Sequence, residues 1–234
     1  MSAEIQWGAA MADLALRAGR RLEGAPAAEI VAWADETFGE GLVVTTSLQD
    51  AVLTHLAASV RPGIDVVFVD TGYHFVETIG MRDAVAATYP VNLVSVTPAQ
   101  TVAEQDAAYG PRLHATDPDL CCTLRKVEPL SKALAPYTAW MTGLRRAEAP
   151  TRRHAGVVEW DARRGMVKVN PIASWTDDDV AAYMAEHGIL ENPLVSEGYA
   201  SIGCAPCTRK VLVGEAARAG RWSGTGKVEC GLHG

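Results

Sequence analysis

A β-branched run, Gly41-Leu-Val-Val-Thr-Thr46, leads into the polar turn Ser47-Leu-Gln-Asp50 and then into the apolar positions of Ala51-Val52-Leu53. This order predicts a strand, a turn and a helix. Ser47, with Asp50 three positions later, has the form of a capping box. Such a box would leave free backbone N–H groups at the start of the helix, where an anion can bind.

The same unit recurs along the chain. A second β-like run over residues 64–69 leads into Asp70-Thr71-Gly72, and further candidate strands cover 91–96 and 138–142. Helix-like patterns lie between these strands, near residues 76–88, 99–109 and 123–134. The alternation predicts the α/β class: a twisted, parallel sheet with helices on both faces.

The pattern loosens after residue 150. A hairpin is expected over residues 156–170, and Thr176 with Asp179 predicts a capping box for a helix over 177–187 that ends at Gly188. No strong linker divides the chain. We therefore expect one α/β body followed by a cysteine-rich C-terminal segment.

Composition limits the classes of function. The chain has 234 residues, 48% of them hydrophobic, and its net charge is −7. No apolar run is long enough to span a membrane and no secretory signal is apparent, so we expect a cytoplasmic protein. Lys and Arg are concentrated in residues 112–154 and 209–234 of this acidic chain. That distribution favours a local site for a small anion over a nucleic-acid surface.

Three predicted strands end in polar residues. Thr45 to Ser47 and Asp70 to Gly72 end two of them, and the loop Gly143-Leu144-Arg145-Arg146 ends the third. In open α/β sheets the ligand lies outside the carboxyl ends of the strands. Hydroxyls, a carboxylate and two guanidinium groups converging there would suit a phosphorylated ribonucleoside.

Five cysteines are arranged as Cys121-Cys122, Cys204-Ala-Pro-Cys207 and a single Cys230. An odd number without an export signal argues against a disulfide framework. The two pairs could form one four-thiolate site for Zn²⁺ or for an iron–sulfur cluster. The adjacent pair departs from the usual zinc spacing and favours iron and sulfide, although zinc stays open.

Cys230 lies near the end of the chain, in Glu229-Cys230-Gly231-Leu232-His233-Gly234. The glycines and the terminal position predict a mobile segment. A nucleophilic thiol needs access and nearby cationic or imidazole groups, and the local candidates are His233, Lys227, Arg221 and Arg218.

With these motifs in order, the chain resembles the assimilatory sulfonucleotide reductases, in the adenylylsulfate reductase branch that carries cysteine pairs. The likeness spans about residues 40 to 233 and is most specific in the Cys-Cys, Cys-x-x-Cys and Glu-Cys-Gly-Leu-His motifs. It implies an adenine-nucleotide α-hydrolase-like fold and reduction of adenylyl sulfate to sulfite and AMP. It also implies thioredoxin as the electron donor. The cluster implied by the resemblance is [4Fe–4S], held by Cys121, Cys122, Cys204 and Cys207.

The resemblance assigns further roles. Cys230 would attack the sulfur of the sulfonucleotide, and His233 would orient or activate that thiol. Lys126, Arg218 and Arg221 would stabilise charge. The remaining predicted nucleotide contacts are Ser47, Asp70, Thr71, Gly72, Arg145 and Arg146. The first loop lacks the glycines that cradle pyrophosphate in related ATP-using enzymes. We expect a nucleotide- and cluster-binding domain over 1–209 and a mobile segment over 210–234.

Three alternatives remain open from the sequence. A 3′-phosphoadenylyl sulfate reductase, or an enzyme accepting both nucleotides, is the nearest one, although the paired cysteines argue against it. A zinc-bearing enzyme that activates a nucleotide and transfers sulfur to RNA would need the missing glycine-rich loop. A metal-stabilised redox-sensing or binding module would leave Cys230 dispensable. The sequence also leaves homo-oligomerisation open.

Overall fold

The computed structural model describes residues 3–232 and contains one six-stranded sheet. The strands are β1 (Leu42–Thr46), β2 (Asp65–Val69), β3 (Asn92–Val96), β4 (Ala139–Thr142), β5 (Val158–Asp161) and β6 (Met166–Val169). Their spatial order is β3-β2-β1-β4-β6-β5. Neighbouring strands are parallel except β5 and β6, which form an antiparallel hairpin at one edge. The predicted α/β class, strands and hairpin are confirmed.

Helices cover the sheet. They are α1 (Ala3–Leu22), α2 (Ala27–Phe38), α3 (Val52–Val60), α4 (Val76–Thr88), α5 (Val102–Tyr109), α6 (Leu113–Thr116), α7 (Pro118–Cys122), α8 (Glu128–Leu134) and α9 (Asp177–His187). A π-helical turn, Thr123–Val127, joins α7 to α8. None of the helices within residues 3–232 combines the length and apolar character needed to cross a bilayer.

Two helix boundaries follow from capping that the sequence shows. Thr176 accepts a hydrogen bond from the backbone N–H of Asp179 and Gly188 ends α9 in the left-handed region, both as predicted. The helix expected over 99–109 begins only at Val102, because Thr101 and Glu104 form a capping box. The helix expected from residue 123 begins earlier, at Pro118. α1 and α2, before the predicted region, were not anticipated.

The capping box predicted for Ser47 and Asp50 is wrong. Helix α3 begins at Val52, and its N-cap residue is Ala51, which makes no side-chain capping hydrogen bond. Asp50 instead accepts a hydrogen bond from the Val52 backbone N–H at 3.0 Å. Residues 49–51 do not join the helix because their backbone pairs with residues 190–192. The N–H of Ala51, for example, donates to the carbonyl of Leu190 at 3.0 Å.

The sheet is buried on both faces. Val44 of β1 belongs to the larger core, which includes Ile30 of α2, whereas Val43 belongs to a smaller core with Leu130 of α8. Successive side chains of a strand point to opposite faces, so both must be apolar where both faces are covered. This explains the unbroken apolar run that predicted β1.

The strand order reverses between β1 and β4, since β1 is followed in the sheet by β2 and β3 on one side and by β4 on the other. Loops that leave β1 and β4 therefore diverge to opposite sides and open a crevice at the carboxyl ends of these strands. The fold thus opens this crevice where the polar strand ends converge.

Candidate active site

An open cleft lies at this reversal point. It encloses about 1420 Å³, including solvent at its mouth. Hydroxyl groups reach it from three neighbouring strands: Thr45 lies in β1, Thr71 follows β2 and Thr142 ends β4. The three strand ends therefore converge as expected. The predicted nucleotide contacts that line the cleft are Ser47, Thr71, Lys126, Arg145, Arg218 and Arg221.

Positive charge dominates the cleft. Its cationic lining residues are Lys126, Arg145, Arg152, Arg218 and Arg221. Two carboxylates, Asp50 and Glu148, also line it. Burial raises the pKa of Asp50. The cleft is therefore suited to a small anion such as a phosphate or sulfate group.

Arg221 is fixed in place by close packing. Its Nη1 donates to the Ser201 hydroxyl at 3.2 Å and to the Ile202 carbonyl at 3.1 Å. Its guanidinium lies over the ring of Trp222, 4.5 Å from the centroid. A Cβ on Gly203 would collide with this guanidinium. Glycine before Cys204 thus makes room for the arginine.

Three predicted contact residues do not line the cleft. Arg146 points away from it, since its two terminal nitrogens donate to the Glu23 carboxylate at 2.7 and 2.8 Å. Asp70 accepts a hydrogen bond from the Gly72 N–H at 3.0 Å and so shapes the turn after β2. Gly72 has φ +73°, and a Cβ there would lie 3.0 Å from Arg125 Nη2. Asp70 and Gly72 thus shape the turn after β2 without lining the cleft.

The four paired cysteines meet at one small cavity beside the cleft. Cys121 and Cys122 end α7, and Cys204 and Cys207 flank a tight turn. The turn is joined to the loop after β2: the Ala205 N–H donates to the Tyr73 carbonyl at 2.7 Å, and Thr71 Oγ1 lies 3.2 Å from Cys204 Sγ. Lys126 lines both cavities.

Burial disfavours the charged form of two of the paired cysteines. Burial and the neighbouring cysteine sulfurs raise the pKa of Cys121 to about 12 and of Cys207 to about 11. These two thiols therefore favour the neutral form. Within residues 3–232, no group of three or more His, Cys, Asp or Glu side chains is arranged to hold one metal ion.

Lys126 lies between the paired cysteines and Cys230. Burial alone would lower its pKa, but the negative charge available on Cys204 and Cys230 outweighs burial and raises it. Its ammonium group is therefore held in the charged form. A fixed positive charge at this junction would attract an anion toward Cys230.

Cys230 lines the cleft, together with Leu232. We call residues 208–232, which include no helix and no strand, the tail segment. Its residue Lys227 pairs with Asp119, and Leu232 packs against the smaller core. The structure describes this segment in a docked arrangement, while its mobility and the division of the chain near residue 209 stay predictions. His233, the predicted partner of the thiol, lies outside the described residues.

Glu229 makes an ion-pair network that the sequence analysis missed. Its carboxylate accepts hydrogen bonds from Arg152 at 2.8 Å through each oxygen, and from Arg218 and Thr151 at 3.1 Å. Arg152 also pairs with Glu148. The only sequence signal was the cluster of Arg and Glu around residues 145–153, because the contact with Glu229 spans 77 positions.

His74 is a second residue that the sequence analysis passed over. Its Nε2 donates to the carbonyl of Val69 at 3.0 Å, its ring stacks near Phe68, and it lines the cleft. Burial lowers its pKa, so the neutral imidazole is favoured. In the sequence, only the position of His74 four residues after Asp70 could have indicated that it lies in the site.

Comparisons with known proteins found similar sequences and a similar solved structure. Residues 41–210 match the phosphoadenosine phosphosulfate reductase domain family. A protein of Streptomyces coelicolor called adenosine 5′-phosphosulfate reductase is 64% identical, and one of Mycolicibacterium smegmatis with the same name is 58% identical. Each match covers 94% of both chains. The solved phosphoadenylyl-sulfate reductase of Candida auris, a phosphate complex, matches 83% of this chain and 96% of its own with TM-score 0.71 and 29% identity.

Proposed function

The chain belongs to the phosphoadenosine phosphosulfate reductase domain family, and from this premise we propose that it reduces adenosine 5′-phosphosulfate to sulfite and AMP in sulfate assimilation. It is an oxidoreductase that acts on a sulfur group. One observation carries the proposal for this chain: Cys230 lines the same strand-end cleft as five cationic side chains. The cationic side chains can bind the negatively charged phosphosulfate group, and the thiol can act as a nucleophile toward its sulfur.

The first step is a thiol attack. The Cys230 thiolate forms a bond to the sulfur of the phosphosulfate, and the bond between that sulfur and the bridging oxygen breaks. AMP leaves with the bridging oxygen and its electron pair. Cys230 then carries an SO₃⁻ group on its sulfur. Lys126, Arg218 and Arg221 line the cleft and would stabilise the phosphate oxygens as negative charge develops on AMP.

The second step needs two electrons from outside the chain. We propose a dithiol protein of the thioredoxin type as the donor. One of its thiolates attacks Cys230 Sγ and expels sulfite, which leaves a mixed disulfide. Its second thiol resolves that disulfide, so the donor is oxidised and Cys230 is a thiol again. We assign this reaction to the cytoplasm, where free thiols and dithiol reductants persist.

We also propose that Cys121, Cys122, Cys204 and Cys207 bind a [4Fe–4S] cluster. The donor set fits, because all four cysteine side chains line one cavity and thiolates are the usual ligands of such clusters. The adjacent pair Cys121-Cys122 departs from the usual spacing of zinc ligands and favours iron and sulfide. When bound, the cluster supplies charge and rigidity beside Lys126, since thiol exchange already provides both electrons.

A second candidate substrate is 3′-phosphoadenylyl sulfate, which the similarity to the Candida auris enzyme favours. The test is the rate of sulfite release from each nucleotide with a reduced thioredoxin, using the anaerobically purified protein. We expect faster release from adenosine 5′-phosphosulfate. Faster release from the 3′-phosphorylated nucleotide would transfer the assignment to the second candidate, and no release from either would refute both.

Two cysteine variants separate the metal site from the nucleophile. Cys122→Ser should lose iron, acid-labile sulfide and the brown colour near 400 nm. Cys230→Ser is the matched control, because it should keep all three. Stoichiometric zinc in a colourless wild-type protein would refute the cluster.

A further inference from the structure

We propose that Glu229 is a positioning residue, whose carboxylate latches the tail segment onto Arg152 and Arg218 so that Cys230 faces into the cleft. The effect of this latch on catalysis rests on the proposed function of Cys230. The docking of the tail segment is independent of that function, because it concerns only contacts between residues of this chain.

The contacts saturate the Glu229 carboxylate. Arg152 Nε donates to Oε1 and Arg152 Nη2 donates to Oε2, both at 2.8 Å, which is the two-pronged geometry of a strong arginine–carboxylate pair. Arg218 Nη2 adds a bond of 3.1 Å to Oε2, and the Thr151 hydroxyl adds one of 3.1 Å to Oε1. Arg218 Nη2 also donates to the Val228 carbonyl at 3.1 Å. The side chain of Glu229 and the backbone of the preceding residue, Val228, are thus both held by hydrogen bonds.

Burial distinguishes this ion pair from an ordinary surface pair. The side chains of Arg152 and Glu229 are 10% and 24% exposed. In the same tail segment, Arg209 and Glu215 form a similar two-bonded pair that is 44% and 28% exposed. Burial raises the pKa of Glu229, but the hydrogen bonds and charges of Arg152 and Arg218 more than offset it and keep the carboxylate ionised. Removing the Glu229 charge would remove the ion pair with Arg218 and one ion pair of Arg152, whose pair with Glu148 would remain.

The position of Glu229 in the chain explains how the latch would affect Cys230. It directly precedes Cys230, which lines the cleft, whereas Glu229 is not among the lining residues. The anchor on the N-terminal side is Lys227 with Asp119, and on the C-terminal side it is Leu232 against the smaller core. Without the carboxylate, four hydrogen bonds beside the nucleophile are lost. The remaining anchors would hold Cys230 less firmly.

The test compares Glu229→Gln with Glu215→Gln. Both variants replace a charged carboxylate by an amide of the same size, in the same segment, but only Glu229 contacts arginines that line the cleft. Without nucleotide, we expect trypsin to cut after Lys227 about tenfold faster in Glu229→Gln than in wild type, because local opening exposes the peptide. Alkylation of Cys230 should accelerate similarly. Glu215→Gln should match wild type in both measurements.

Activity then separates positioning from general support. For Glu229→Gln we expect kcat to fall about tenfold or more, while the dissociation constant of the nucleotide, measured by equilibrium binding, does not increase. Thr151→Val, which removes one of the four bonds, should change cleavage and kcat in the same direction by less. This second variant keeps the test decisive if Glu229→Gln folds poorly.

Two results would overturn the inference. Unchanged trypsin cleavage and alkylation in Glu229→Gln would show that no latch exists. Faster cleavage with unchanged kcat would show that the latch does not position Cys230. If wild type itself releases no sulfite, the proposed function fails, but the cleavage measurements still decide whether the tail segment is latched.

Discussion

The sheet and the tail segment are held by different forces. The strands are packed between helices with apolar side chains on both faces; Leu42, Val43 and Val44 of β1 are fully buried. The tail segment buries one large apolar side chain, Trp222, and packs Leu232 against the smaller core. It otherwise relies on charged contacts such as Arg152 with Glu229 and Lys227 with Asp119. The burial of apolar side chains is a non-directional interaction that stabilises the sheet as a whole. Ion pairs hold individual side chains in position, but they add little net stability where water can interact with the same charges. The contrast predicts that the stability of the protein depends mainly on the sheet, whereas the proposed nucleophile Cys230 can be changed with little loss of stability.

The largest expected effect separates chemistry from stability. Cys230→Ser should lower the rate of sulfite release by about 10³-fold or more, because a hydroxyl is a much weaker nucleophile than a thiolate toward sulfur. The melting temperature should stay that of wild type, since the side chain supports no part of the sheet. Sulfite assay and calorimetry on the same preparation measure both. A large fall in melting temperature would contradict the view that Cys230 contributes to the reaction and not to stability.

The second prediction addresses the sheet. Leu42→Ala should lower the free energy of unfolding by about 2–5 kcal/mol, because it leaves a cavity in the larger core. Leu212→Ala is the matched control: that leucine is 70% exposed in the tail segment, and its loss should change stability by less than about 0.5 kcal/mol. Urea unfolding measures both. Equal effects would contradict the contrast.

Salt should loosen the tail before the sheet. Raising the ionic strength from about 0.1 to 1 M shortens the screening length from about 10 to 3 Å. This weakens partly exposed ion pairs such as Lys227 with Asp119, whose carboxylate side chain is 83% exposed. We expect trypsin to cut after Lys227 about threefold faster, while the urea midpoint of the whole protein changes little. A free peptide of the tail sequence corrects for the effect of salt on trypsin. A cleavage rate independent of salt, after that correction, would argue against charged docking.

The smallest effect concerns a histidine outside the cleft. His55 of α3 contacts Tyr183 and lies near His187, and burial together with His187 lowers its pKa. The folded state therefore binds this proton less readily than the unfolded state, so stability falls as pH drops below the unfolded value of about 6.5. His55→Asn should reduce the loss of melting temperature between about pH 7.5 and 5.5 by about 1–2 °C. An unchanged pH dependence would contradict this cause.

Local patterns in the sequence were sufficient to predict most of the sheet. β1, β2 and the hairpin of β5 and β6 were predictable because burial on both faces demands apolar runs and turns demand polar residues. The start of α3 was not, because the backbone of residues 49–51 pairs with residues 190–192. No local rule reports such a distant partner. Capping motifs succeeded where no distant strand competed, as at Thr176.

The candidate site was predictable in its residue types but less so in its orientations. Arg145 and Arg146 are adjacent and chemically equal, yet only Arg145 lines the cleft, because Glu23 of the unanticipated region after α1 binds Arg146. Cysteine pairing pointed to a shared site because thiols are rare and their spacing is informative. The contact of Glu229 with Arg152 joins residues 77 positions apart, so only the fold reveals it.

The most direct test follows the sulfur itself. The protein is mixed anaerobically with adenosine 5′-phosphosulfate labelled at sulfur, without a dithiol donor, and its peptides are analysed by mass spectrometry. We predict one SO₃ group on the peptide that contains Cys230, removed as labelled sulfite when reduced thioredoxin is added. An unlabelled Cys230 peptide in a preparation that releases sulfite once thioredoxin is added would contradict the account.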